Sequence, residues 1–106
     1  MPSTRRSFEL MKGNRRTMST KTVFVRCKVS PGTFETEYYV ILDSTSAYVD
    51  RDDVKVQSAP TRGSEVDGSV RAYLIQETEN RFLVELPGQA VVGGLRTWIP
   101  RAQLAN

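Results

Sequence analysis

The residues best suited to chemistry are few, and their spacing narrows them further. Asp50-Arg51-Asp52-Asp53 puts three carboxylates within four positions, which invites comparison with a calcium loop. The twelve-residue calcium pattern also needs a central glycine and a distal glutamate. Neither is present, so a tight turn closed by side-chain-to-backbone hydrogen bonds is expected instead. Glu35 and Glu37 stand two apart and would point the same way on a strand. Such a pair serves acid/base work only inside a pocket, and the surrounding residues supply none. Gly93-Gly94 lacks the lysine-serine/threonine ending and the following helix start of a phosphate loop. Trp98 is large, alone of its kind and flanked by Arg96 and Arg101, which makes it the leading candidate for a binding hot spot. Its competing role is a core residue at the lid of a barrel.

What is missing decides more. The chain has no histidine, which excludes His-dependent triads, His acid/base chemistry and His-ligated zinc. Cys27 is the single cysteine, so no internal disulfide forms. It lies in a strand-like run and is expected to behave as a small buried hydrophobe rather than a reactive thiol. The chain is therefore read as non-catalytic, with no cofactor and no metal. No apolar run approaches the ~18 residues of a membrane-spanning helix, so no membrane association and a cytoplasmic location are expected. At 106 residues, with 39% apolar and 25% charged side chains, it suits one globular domain with one core.

The net charge of +3 hides an uneven distribution. Residues 1–21 carry six basic side chains against Glu9 alone, whereas residues 22–106 carry nine basic and eleven acidic ones. The body is mildly acidic, the reverse of what a phosphate-binding domain shows. Residues 1–21 are expected to form a disordered basic tail. Ser3-Thr4-Arg5-Arg6-Ser7-Phe8 has the outline of a twin-arginine signal, but the polar continuation Glu9-Leu10-Met11-Lys12 argues against export. Two further readings remain beside a functionless tail: an RNA-contacting arm using Arg5, Arg6, Arg15 and Arg16, or a start at Met18 with residues 1–17 as upstream read-through.

The body, residues 22–106, alternates in short runs. Val23, Val25, Cys27 and Val29 face one side, with Arg26 and Lys28 on the other. Ser30-Pro31-Gly32 signals a turn. A second strand from Phe34 to Leu42 carries Tyr38, Val40 and Leu42 on one face and Tyr39 and Ile41 on the other. Ala47-Tyr48-Val49 and Val54-Lys55-Val56 are short strands. Gln57 to Asp67 is the one internal linker. Strands resume at Val70–Ile75, Arg81–Leu86 and Leu95–Ile99. No sustained 3.6-residue period occurs. An all-β fold is expected, a small closed or partly open barrel of five to six antiparallel strands.

The two halves echo one another. Val23–Val29 aligns with Val70–Gln76, Tyr38–Leu42 with Phe82–Leu86, and Ala47–Val54 with Thr97–Leu104, at offsets of 47, 44 and 50. Two such units closing around one core would leave few unpaired edges.

The run Gly94-Leu95-Arg96-Thr97-Trp98-Ile99-Pro100-Arg101-Ala102-Gln103-Leu104 resembles the closing pattern of the Src-homology-3-like small barrels. That resemblance implies an aromatic, an aliphatic and a proline, then a 3₁₀ turn and a final strand. Gln103 stands where the peptide-binding members carry a ligand-contacting tyrosine, so binding of Pro-rich peptides does not carry over. A second stretch, Gly68-Ser69-Val70 through Phe82-Leu83-Val84-Glu85-Leu86, resembles the opening hairpin of the OB barrels in initiation-factor-like RNA binders. Such barrels stack bases on a basic aromatic face. The outward residues implied here are Arg71, Tyr73, Arg81 and Arg96, interspersed with Glu77, Glu79 and Glu85.

Two functions follow as expectations. The first is a non-catalytic interaction module, an adaptor or regulatory subunit that binds another protein through an aromatic face of Tyr38, Tyr39, Tyr48, Tyr73 and Trp98, with Arg71, Arg96 and Arg101 beside it. The alternative is an RNA- or ribosome-associated protein whose tail contacts phosphates.

Overall fold

The computed structural model describes residues 21–105. Residues 1–20 of the expected disordered basic tail, with Arg5, Arg6, Arg15 and Arg16, lie outside the described residues, while Lys21, its last residue, begins the first strand opposite Leu74.

The chain is all-β, a curled antiparallel sheet that forms a partly open half-barrel. Its strands are β1 (Lys21–Pro31), β2 (Glu37–Ile41), β3 (Ser46–Asp50), β4 (Val54–Val56), β5 (Val66–Glu77), β6 (Arg81–Glu85), β7 (Gln89–Val92) and β8 (Arg96–Pro100). The order across the sheet is β7-β3-β2-β1-β5-β6-β8, with β4 pairing β5 off that path. Single 3₁₀ turns, Arg51–Asp53 and Arg101–Gln103, follow β3 and β8. Among the described residues no helix is long and apolar enough to cross a membrane.

Alternation explains which face is buried. Val23, Val25 and Val29 of β1 point inward with Val70 and Ala72 of β5, Tyr38 and Val40 of β2, Ala47 and Val49 of β3, and Phe82 and Val84 of β6. Arg26, Lys28 and Arg71 stay on the outer face. Side chains at successive positions point to opposite faces, so one register satisfies the whole core.

β1 is long enough to serve two neighbouring strands and β5 three. They pair with one another from Lys21↔Leu74 to Val29↔Val66. The end of β1 also pairs with β2, the start of β5 with β4, and the end of β5 with β6. About this central ladder the pairings repeat. Val29↔Val40 is matched by Leu74↔Val84. Tyr38↔Val49 and Val40↔Ala47 are matched by Phe82↔Ile99 and Val84↔Thr97. Val54↔Val70 is matched by the bridge Leu104↔Val25.

Loop bonds repeat as well. The Leu42 N–H donates to Thr45 O at 2.8 Å and the Leu86 N–H to Leu95 O at 2.9 Å. The Arg51 N–H donates to Thr36 O at 3.0 Å and the Arg101 N–H to Asn80 O at 3.3 Å. The offsets of 44 and 50 read from the sequence hold for β2/β6 and β3/β8. The offset for β1/β5 is 45 rather than 47, as the match of Val29↔Val40 with Leu74↔Val84 and of Val54↔Val70 with Leu104↔Val25 shows. A shift of two preserves the alternation, so only cross-strand pairing distinguishes the two values.

Eight strands form where a barrel of five to six is expected. Each of the seven strand runs read from the sequence forms, and the one strand outside them is β7, inside the interval where the offset grows from 44 to 50. After β6 the chain turns at Pro87-Gly88 and lays β7 along β3, pairing Ala47↔Ala90 and Tyr48↔Gln89. It then returns to β8 beside β6. Gly88 permits this with φ 103, since a Cβ there would lie 2.1 Å from the Tyr48 carbonyl oxygen. β5 starts at Val66, so the linker is shorter than expected, and β2 starts at Glu37, leaving Phe34 exposed in the preceding turn.

Candidate functional site

The outer face of β5, β6 and β8 collects most of the residues singled out from the sequence. Tyr73 lies opposite Glu85, which lies opposite Arg96. Within that row the Arg96 Nε donates to Glu85 Oε1 at 2.7 Å. One row along, Leu83 lies opposite Trp98, and the Arg81 guanidinium sits 5.2 Å from the indole centroid. Arg81 thus covers part of the ring by a cation–π contact. Tyr73 is 39% exposed, Ile75 39% and Trp98 38%. Ile99 takes the inward position next to Trp98, so the indole is a surface residue and not a core lid.

Ile75 follows Tyr73 by two positions on this face, and the register shift between Leu74 and Gln76 sets Gln76, rather than Ile75, opposite Leu83. Such an irregularity re-aims a side chain locally. Leu83 does not stand out in the sequence, because what marks it is its cross-strand neighbour Trp98.

Three expected site residues have other partners. Arg71 shares the outer face but is ion-paired to Asp53, whose hydrogen bond and charge raise the guanidinium pKa above its ordinary value. Arg101 lies over the Phe82 ring at 4.6 Å. Its Nε donates to Glu79 O at 2.7 Å and its Nη2 to Glu77 Oε2 at 3.0 Å, so it fastens the β5–β6 turn to the 3₁₀ turn. Tyr48 lies on β3, with β2, β1, β5 and β6 between it and Trp98. It packs on Tyr39 at 5.2 Å between centroids, the repeat of the Leu83–Trp98 pair, and the Tyr39 hydroxyl donates to Ser46 Oγ at 2.6 Å. Tyr38 points inward at 7% exposure under the Arg51 guanidinium, so the five aromatics do not form one face.

The carboxylate motifs have structural roles. Asp50 Oδ1 accepts from the Asp52 N–H at 2.9 Å, which makes Asp50-Arg51-Asp52-Asp53 the capped turn expected of it. Glu37 Oε2 accepts from the Thr33 N–H at 3.1 Å, while Glu35 lies in the turn before β2. The two glutamates therefore do not share a strand.

Burial pushes the Cys27 thiol up to about 12, so at neutral pH almost none of it is the nucleophilic thiolate. Cys27 borders a groove of about 1100 Å³ between β1, β4, β5 and the C-terminal residues. The cations of that groove have partners within the chain. Lys28 pairs with Asp67, Lys55 sits 4.0 Å from the Phe24 ring centroid, and Arg26 Nη1 donates to Ala102 O at 3.4 Å. On the aromatic face of β5, β6 and β8, Tyr73, Ile75 and Trp98 stay partly exposed. Comparison of the chain with family models, with curated proteins and with solved structures returns no match.

Proposed function

We propose that the chain is a non-catalytic interaction module that docks another protein on the outer face of β5, β6 and β8, with Trp98 and Tyr73 as anchors. The observation that carries the reading is two part-exposed aromatics on one face, Trp98 opposite Leu83 and Tyr73 opposite Glu85, with Arg81 over the indole and Arg96 paired to Glu85. Aromatic anchors ringed by arginine are the usual composition of protein-binding hot spots.

Kinship with the Src-homology-3-like small barrels belongs to the same proposal. Its support is the order of elements at the C-terminus: Pro100, a 3₁₀ turn at Arg101–Gln103, and Leu104 pairing back to Val25. Protein is favoured over nucleic acid because Lys28, Arg71, Arg96 and Arg101 are each neutralised by a carboxylate of the same chain. A cation held in an internal ion pair must give up its carboxylate before it can neutralise a phosphate.

The test is capture of partners by the full chain, with and without nuclease, alongside Trp98→Ala, Tyr73→Ala and a deletion of residues 1–17. The expected partner survives nuclease, the deletion and added salt, and is lost with either aromatic substitution. A partner lost on nuclease treatment or on deletion, and indifferent to Trp98→Ala, would establish nucleic-acid attachment through Arg5, Arg6, Arg15 and Arg16 instead.

A further inference from the structure

We propose that β7 is the edge at which two copies of this chain pair, strand to strand. β7 ends the sheet, and its outer side meets no other strand among the described residues. All four of its residues are exposed, with Val91 at 50% and Val92 at 57%. β7 also lies within the extra residues that separate the second half of the chain from the first. The repeated architecture forms without it, so its two valines bury little within their own chain.

The two edges of the sheet are guarded differently. β8 carries Arg96, ends in Pro100, which has no N–H to donate, and is followed by Arg101. Charge and proline at an edge oppose strand addition. β7 has neither, and no charged side chain occurs from Leu86 to Leu95.

That absence selects the occupant. Antiparallel pairing of one strand with its own copy follows a two-fold axis, so each position faces itself or a near neighbour. A charged edge would then oppose like charges, whereas Gln89-Ala90-Val91-Val92 opposes amide and apolar groups to one another. The free backbone groups supply the ladder and the valines supply apolar contact. An edge of four residues buries well under the roughly 1,200 Å² of a standard interface, so the association is weak and depends on concentration.

Sedimentation velocity on the full chain, from about 10 μM to about 1 mM, reads this directly. The wild type is expected to shift from monomer to dimer across that range. Val92→Lys and Val92→Glu are each expected to remain monomeric, and an equimolar mixture of the two to recover the dimer. Val91→Lys repeats the first arm should Val92→Lys fail to match the wild-type dichroism. A wild type monomeric throughout, a Val92→Lys variant that dimerises like wild type, or a mixture that stays monomeric would each overturn the proposal. So would a monomer that gains an extended peptide along β7 in place of a second copy.

Discussion

Val25 and Val70 lie directly opposite one another across β1 and β5, both fully buried, and the rest of the sheet repeats about that contact. On one side Val70 meets Val54 across a ladder, and on the other Val25 meets Leu104 across a bridge. The closing residue of each half, Val54 or Leu104, therefore pairs onto the strand that starts the other half. Neither half is complete alone, which makes this pair the centre of the fold's cooperativity.

Val25→Ala and Val70→Ala are expected to destabilise the chain by about 2 kcal/mol each, from lost transfer energy plus the cavity left behind. Because the side chains face one another, the double substitution should depart from the sum of the single ones. Urea midpoints for the four proteins of the cycle measure both effects. Strict additivity would show that the two valines pack independently.

Gly88 and Gly63 both have positive φ, at 103 and 79. A Cβ on Gly63 meets nothing within 4 Å, while one on Gly88 collides with the Tyr48 carbonyl. Gly63→Ala is expected to cost only the backbone penalty, about 1 kcal/mol. Gly88→Ala should cost clearly more and lift β7 from β3. Thermal midpoints compare the two, and faster hydrogen exchange at the amides of the β3–β7 ladder would locate the damage.

The Arg51 guanidinium stacks on Tyr38 and the Arg101 guanidinium on Phe82, each 4.6 Å from the ring centroid. Arg101 also donates to Glu79 O and Glu77 Oε2. Arg51→Ala is expected to cost about 0.5–1 kcal/mol, the range for an exposed cation–π contact. Arg101→Ala should cost more, because it also leaves the β5–β6 turn without its donors. Denaturant unfolding of the two variants ranks them, and equal losses would count against the turn-fastening role.

Cys27 makes stability depend on alkaline pH. Its thiol is raised by burial from 9.0 to about 12, so the native state holds the proton to higher pH than the unfolded chain does. The contribution is fully present below pH 9 and is lost as pH rises from there toward 12. Wild type should lose stability relative to Cys27→Ala as pH climbs above 9, as urea midpoints at successive pH values would show. Alkylation of Cys27 at neutral pH should be slow in the native protein and fast once it is unfolded.

Much of the molecule is decided locally. The alternation Val23-Val25-Val29 against Arg26-Lys28 assigns faces without knowledge of any partner, because neighbouring strand positions point to opposite sides. Pro100 ends β8, and Asp50 caps its own turn through the Asp52 N–H, both within a few residues. The echo between Tyr38–Leu42 and Phe82–Leu86 is equally visible, since matching ladders demand matching patterns. The face around Trp98 is visible only in part. Tyr73 and Arg96 are plain in the sequence, while Leu83 joins it through pairing with Trp98 and Gln76 through a register shift.

The amino-acid order by itself determined an all-β chain, the alternation of its valines against Arg26 and Lys28, the turn at Asp50–Asp53 and the absence of histidine chemistry, because each depends on side-chain type or on neighbours a few positions away. Tertiary structure alone decided that β1 and β5 correspond at 45, that Arg101 holds a turn while Trp98 faces outward, and that β7 lies along β3. Those outcomes join residues far apart in the chain, and a period of two reads the same after any even shift until a partner strand selects the register.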